Sequence, residues 1–89
     1  MLVRQLEWVS SVCCGVEVDF IVKLRSEIWV IEVKSGEVQE QDLRGLKAFR
    51  DYFPKVDHSV CVSPKETGKR KIKGMLICHW ITLLQEMGL

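Results

Sequence analysis

The sequence predicts a small α/β (α+β) domain, in which a small mixed sheet carries flanking helices. Three observations predict it: two adjacent runs alternate between apolar and polar residues, an amphipathic helical segment follows them, and an apolar helical segment closes the chain. The chain has 89 residues, of which 47% are hydrophobic and 28% charged. No repeat or Pro/Gly-rich linker divides it, so we expect a single domain over residues 1–89.

The two alternating runs predict two strands joined by a tight turn. Residues 16–24 (VEVDFIVKL) and 27–34 (EIWVIEVK) both place apolar side chains at every second position, which is typical of strands. Only Arg25 and Ser26 lie between the runs, so the sequence predicts an antiparallel hairpin. Neither residue is Gly or Asn, and the type of turn stays open.

The remainder of the chain predicts helices and strands in alternation. Four elements are expected: a helix over 39–53, a strand over 56–62, a strand or hairpin arm over 69–78, and a helix over 79–87. The first helix has its apolar stripe at Leu43, Leu46, Phe49 and Phe53 and should end at Pro54. Residues 1–11 fit a helix or a strand equally well.

The hairpin is expected to gather charged residues on one face of the sheet. A loop with an even number of residues keeps Asp19, Glu32 and Lys34 on the same face, because side chains alternate with a period of two. With the two-residue loop, Asp19 faces Glu32, and Glu17 faces Lys34. Two facing carboxylates repel by about 3 kcal/mol at an effective dielectric constant near 20, so they need a counter-charge.

A divalent cation would supply that counter-charge. Mg²⁺ or Mn²⁺ binds carboxylate oxygens and can polarise a phosphate, while the adjacent Lys34 could stabilise charge that develops on it. The alternative is a solvated polar face with ion pairs between the strands. Ile21, Ile28 and Val30 fall on the same face and indicate that it is covered, which disfavours this alternative.

These residues also resemble a known family. The segments GVEVDF (15–20), IEVK (31–34) and DLRGL (42–46) resemble the PD-(D/E)XK nuclease-like domain found at the C-terminus of prokaryotic AAA-type ATPases. The resemblance implies a restriction-endonuclease-like core and a Mg²⁺- or Mn²⁺-dependent nuclease acting on DNA. It makes Asp19 and Glu32 metal ligands and catalytic residues, and Lys34 the catalytic cation.

The resemblance further implies a first helix with an acidic residue that completes the metal site. Only Met1 to Ser11 is available for it, with Glu7 as the candidate ligand, and no phosphate-binding loop of an ATPase is present. The chain would then be a truncated reading frame or be completed by another chain. The alternative function is a non-catalytic nucleic-acid-binding or oligomerisation module left from an ATPase.

Charge and composition restrict the partners. A net charge of +1 gives no global basic surface, so nucleic-acid contact is expected only locally, at Lys69, Arg70, Lys71 and Lys73. The same basic run could instead protect a sheet edge from aggregation. The four cysteines form no zinc motif and are expected to be reduced, and we find neither a signal peptide nor a membrane span. We therefore expect a cytoplasmic protein that forms a homodimer or associates with a separate ATPase chain.

Overall fold

A five-stranded mixed sheet forms the centre of the protein. The computed structural model describes residues 11–13 and 16–88. The strands are β1 (Ser11–Cys13), β2 (Val16–Val18), β3 (Phe20–Leu24), β4 (Glu27–Val33), β5 (His58–Val62), β6 (Lys69–Ile72) and β7 (Met75–Cys78). The main sheet has the order β3-β4-β5-β7-β6, and β1 pairs with β2 in a separate antiparallel ladder. Within the main sheet, the central pairs, β4 with β5 and β5 with β7, are parallel, whereas both outer pairs are antiparallel.

Helices cover both faces of this sheet. A 3-10 turn (Glu40–Leu43) leads into α1 (Arg44–Tyr52), and α2 (Trp80–Glu86) follows β7. On what we call the α1 face, Leu46 and Phe49 pack with Val30, Cys61 and Ile77. On the opposite α2 face, the side chains of Leu83 and Met87 pack with apolar residues of β3, β4, β5 and β7. This two-sided packing confirms the predicted α/β (α+β) class.

Double coverage explains why the inner strands do not alternate in burial. All four residues of β7 and the last four of β5 are buried, because each face of these strands meets a helix. Such strands carry continuous apolar runs rather than an apolar and a polar side. The edge strand β6 is exposed at its first three positions, which matches its basic sequence.

Two tight hairpins form the outer pairs of the sheet. Arg25 and Ser26 have φ angles of 52° and 68°, and Lys73 and Gly74 have 52° and 81°. Positive φ at both central residues is the signature of a type I′ turn, whose twist matches that of paired strands. The predicted hairpin at Arg25 and Ser26 is confirmed, and residues 69–78 prove to be a complete hairpin, β6–β7.

The prediction of one continuous strand over residues 16–24 is wrong. The chain bends at Asp19, and β2 leaves the main sheet to pair with β1. As a result Glu17 lies opposite Val12 rather than opposite Lys34. The pairing of β2 with a segment that precedes it removes the residues before Asp19 from the ladder with β4.

Smaller differences occur at other element ends. The helix predicted over 39–53 begins as a 3-10 turn, and Phe53 at its end is exposed instead of completing the stripe. The strand predicted over 56–62 starts only at His58, because Asp57 uses its side chain and backbone N–H to bond Ile28. The predictions for residues 1–10, including Glu7 as a ligand, lie outside the described residues. Cys61 and Cys78 are free thiols, as expected.

Candidate functional site

The register of the first hairpin ends one residue short of Asp19 and Glu32. Phe20 pairs with Ile31, so the same register continued by one residue puts Asp19 opposite Glu32. In an antiparallel ladder of this register, these two positions would form a non-hydrogen-bonded pair, in which side chains approach most closely. The two-residue loop is confirmed, whereas the juxtaposition of Asp19 with Glu32 lies one position beyond the last paired residues and stays a prediction.

Asp19 is tied to β4 by a side-chain hydrogen bond. The Val33 N–H donates to Asp19 Oδ2 at 2.8 Å. If the ladder continued, this N–H would instead donate to the carbonyl of residue 18, so the Asp19 carboxylate replaces a backbone acceptor where β2 turns away. The carboxylate therefore lies beside the peptide that joins Glu32 to Val33, with one of its oxygens engaged.

Glu32 and Lys34 lie on the α1 face above a buried thiol. Glu32 is the register neighbour of Cys61 on β5, and the Lys34 N–H donates to the Val62 carbonyl at 2.9 Å. Burial raises the pKa of the Cys61 thiol to about 12, with the Glu32 carboxylate adding to this rise and Lys34 opposing it. Both charges thus act on the same point of the core, and both side chains are half-buried.

These residues fit a divalent cation only as a water-rich site. Among residues 11–13 and 16–88, no group of three or more His, Cys, Asp or Glu side chains is arranged to hold a metal ion. One oxygen of the Asp19 carboxylate already accepts a hydrogen bond from the Val33 N–H. Mg²⁺ is commonly held by one or two carboxylates together with waters and substrate phosphates, and Asp19 with Glu32 would supply those two carboxylates.

The basic run does not form one cationic surface. Cross-strand pairing places Arg70 with Ile77 on the α1 face, and Lys71 with Leu76 on the α2 face. Three of the four cations also have an acid partner: Lys69 binds Glu86, Arg70 binds Glu66, and Lys73 binds Glu40. The hydrogen bond from Lys73 lowers the pKa of the Glu40 carboxyl. Nucleic-acid contact at these four residues stays a prediction.

A cleft that sequence reasoning missed lies beside this site. It has a volume of about 430 Å³ and is lined by residues 37–39, which follow β4, and residues 65–70, which follow β5 and enter β6. Asp19, Glu32 and Lys34 are not among its lining residues. The sequence offers no motif for it, because its two walls are far apart in the chain and are brought together by the parallel pairing of β4 with β5.

The segment that follows Lys34 is held by side chains from outside it. Ser63 Oγ donates to the Gly36 carbonyl at 2.5 Å, and Arg70 Nη2 donates to the Val38 carbonyl at 2.6 Å. The Asp42 carboxylate accepts from the Gln39 N–H at 2.9 Å, which caps the start of the 3-10 turn. Sequence reasoning assigned none of these roles.

Comparison with known proteins assigns the chain to a family. A family model described as "Domain of unknown function (DUF4143)" matches residues 11–83. The chain belongs to this family. The DUF4143 domain occurs in proteins associated with AAA-type ATPases, which agrees with that part of the resemblance. Neither curated proteins nor solved structures gave a match to the chain.

The described part of this DUF4143 domain, residues 11–13 and 16–88, has no helix of the length and apolar character needed to cross a membrane.

Proposed function

We propose that this DUF4143 domain is a cytoplasmic PD-(D/E)XK-like nuclease domain that hydrolyses a phosphodiester bond in DNA. Asp19 and Glu32 would hold Mg²⁺ or Mn²⁺, and Lys34 would be the catalytic cation. The observation that supports the proposal is the register of β3 with β4, in which Phe20 pairs with Ile31, so that Asp19 and Glu32 are the next residues along the two chains and Lys34 follows two positions later. Membership of an ATPase-associated family supports the comparison with nuclease-like domains of ATPases.

The residues of the chain have separate parts in this proposal. The hydrogen bond from the Val33 N–H restrains the Asp19 carboxylate, so that less side-chain freedom would be lost on binding a cation. A cation held there would polarise the phosphate and lower the pKa of a bound water. The Lys34 ammonium stabilises negative charge on the phosphate, and its half-buried position strengthens that interaction relative to bulk water.

A second candidate is a non-catalytic module left from an AAA-type ATPase, which binds nucleic acid or assembles with other chains. The observation that favours it is an exposed apolar stripe on α2, formed by Trp80, Ile81 and Leu84. Most exposed helix faces in soluble proteins are polar, and contiguous apolar patches commonly mark an interaction surface. A second copy of this chain is the partner that we propose, and a separate ATPase chain would be the alternative.

Two substitutions test the nuclease proposal. In Asp19→Asn we expect metal affinity to fall at least tenfold, because the carboxylate charge is lost, and cleavage to vanish with it. In Lys34→Ala we expect metal affinity to stay unchanged and the turnover rate to fall about a hundredfold, because the cation acts on the phosphate. Calorimetric titration with Mg²⁺ and Mn²⁺, beside a plasmid-nicking assay, measures the two effects separately.

Matched controls are available on α1. Asp51→Asn and Lys47→Ala remove one acidic and one basic charge, as the two test substitutions do, but from an exposed ion pair in which Lys47 Nζ lies 3.3 Å from Asp51 Oδ2. Both variants should bind metal and cut DNA like the wild type. A wild-type protein that binds no divalent metal at millimolar concentration and cuts no form of DNA would remove the nuclease proposal and leave the non-catalytic module.

A further inference from the structure

Arg70 reaches across the α1 face to the segment that connects Lys34 with α1. Its Nε donates to Glu66 Oε1 at 3.1 Å, and its Nη2 donates to Glu66 Oε2 at 3.3 Å and to the Val38 carbonyl at 2.6 Å. These three hydrogen bonds use the forked geometry of the guanidinium group. The carbonyl bond joins edge strand β6 to a residue 32 positions earlier in the chain.

Glu66 holds the Arg70 guanidinium in place. Its side chain is only 12% exposed, so its charge requires partners. The hydrogen bond from Arg70 lowers the pKa of the Glu66 carboxyl, and a backbone hydrogen bond from Val38 lowers it further. Glu66 therefore fixes the guanidinium group that donates to the Val38 carbonyl, and the side chain of Val38 is buried on the α1 face.

The hydrogen bond from Arg70 to the Val38 carbonyl lies close to Lys34 in the sequence. The Lys34 N–H is bonded to Val62, and the Gly36 carbonyl to Ser63, so Val38 is the third alternate position at which the segment is held. Cross-strand pairing puts Arg70 in the same row of the sheet as Glu32, three strand spacings or about 14 Å away. At that distance any effect of Arg70 on the site has to pass through the segment, because direct contact is out of reach.

We propose that Arg70 is a positioning residue, which fastens the segment from Lys34 to Gln39 and thereby fixes Lys34, instead of contacting the phosphates of nucleic acid. This inference rests on the proposed nuclease function. The proposed role distinguishes Arg70 from Lys71, its neighbour in the basic run, because the side chain of Lys71 lies on the opposite face of the sheet. A displacement of about 1 Å in a catalytic group can lower a rate a hundredfold, so loss of the contacts that fasten the segment can lower the turnover rate strongly.

Arg70→Lys and Arg70→Ala separate positioning from charge. Lysine keeps the charge but cannot form the forked contact with Glu66 and Val38 together. We expect both variants to exchange the amide hydrogens of residues 34–39 about tenfold faster and to turn over DNA at least tenfold more slowly, at unchanged KM. The dependence of DNA affinity on salt should keep its slope, because no phosphate contact is lost.

Arg50→Ala is the matched control. Arg50 also donates from a guanidinium to a backbone carbonyl, that of Lys73 at 2.9 Å, but this bond fastens the β6–β7 turn. In this variant, exchange should rise at that turn and stay unchanged at residues 34–39, and the turnover rate should stay at the wild-type value.

Two results would overturn the proposal. The first is an Arg70→Ala variant with unchanged exchange at residues 34–39 and a salt slope lowered by about one, since that pattern identifies a phosphate contact. The second is faster exchange with an unchanged turnover rate. If the wild-type protein cuts no DNA, the proposed nuclease function is wrong. Hydrogen exchange and the salt dependence of DNA binding then decide together whether Arg70 fastens the segment.

Discussion

Cys61 lies under the charged residues of the candidate site and is fully buried on the α1 face of the sheet. Its neighbours in the sheet are Glu32 on one side and Ile77 on the other. Burial disfavours the thiolate, and the nearby Glu32 carboxylate disfavours it further, so the pKa of the thiol rises from 9.0 to about 12. The thiol is therefore an inert part of the core at neutral pH and not a nucleophile.

This shift predicts a loss of stability in alkaline solution. In the unfolded chain Cys61 ionises above about pH 9, whereas in the folded protein it keeps its proton up to about pH 12, so rising pH favours unfolding across that interval. We expect the free energy of unfolding to fall by about 1 kcal/mol from this group between pH 9 and pH 10. Urea denaturation at both pH values measures the change.

A Cys61→Ala variant is the control for this measurement. Other groups also titrate in this range, and burial raises the pKa of Cys78 as well, so some alkaline loss will remain in the variant. The difference between wild type and variant isolates Cys61. An equal loss in both proteins would show that the Cys61 thiol does not resist ionisation in the folded state.

Among the elements, the β3–β4 hairpin has the greatest influence on the site, because its loop sets the register of Asp19 and Glu32. Ser26 in that loop has a φ of 68°, a region that glycine adopts without steric cost. We expect Ser26→Gly to raise the free energy of unfolding by about 0.5–1 kcal/mol, measured by thermal or urea denaturation. Arg25 is left in place because its side chain donates to the Met87 carbonyl.

Ser35→Gly provides the matched comparison for this hairpin prediction. Ser35 is exposed like Ser26, but it is absent from the residues with positive φ. Glycine there only adds freedom to the unfolded chain, so this variant should lose stability. Destabilisation in both variants would contradict the assignment of a type I′ turn.

Local patterns were sufficient to predict the hairpin elements of the fold. Alternation in residues 27–34 gave β4, and the two residues before it gave the turn and the pairing of β3 with β4. The turn at Lys73 and Gly74 was missed, although Gly between a basic and an apolar run is the signal for it. All of β7 and the last four residues of β5 are buried on both faces, so sequence periodicity could not show that helices cover both sides of these strands.

Features that depend on contacts distant in sequence could not be predicted. The bend at Asp19 exists because β2 pairs with β1, and the side-chain bond from Val33 follows from that bend. The roles of Ser63 and Arg70 depend on the strand order β4-β5-β7-β6, in which consecutive strands are not all neighbours. The motif of Asp followed by Glu-x-Lys gives the three candidate site residues. It contains no information about the side chains that hold the segment after Lys34.

At the scale of the whole molecule, the sheet is covered unequally. The α2 face is covered by a helix of only seven residues, and Trp80 and Ile81 on that helix are 53% and 50% exposed. The acid of this helix, Glu86, is bound to Lys69 at 3.2 Å. Two copies of the stripe could therefore meet without repulsion between like charges, and a two-fold axis would pair the same residues on both copies.

This stripe predicts self-association of the protein through α2. We expect the wild type to sediment as a dimer at micromolar concentration, and Trp80→Glu or Leu84→Glu to sediment as a monomer, because each places a charge in the apolar contact. Gln85→Glu, which adds the same charge at an exposed position of the same helix, should leave the dimer intact. Circular dichroism of each variant checks that the fold is retained, since Trp80 and Leu84 contribute little to the core. A folded wild type that remains monomeric at these concentrations would contradict pairing of α2 between copies, and binding to a separate ATPase chain would then be the remaining use for the stripe.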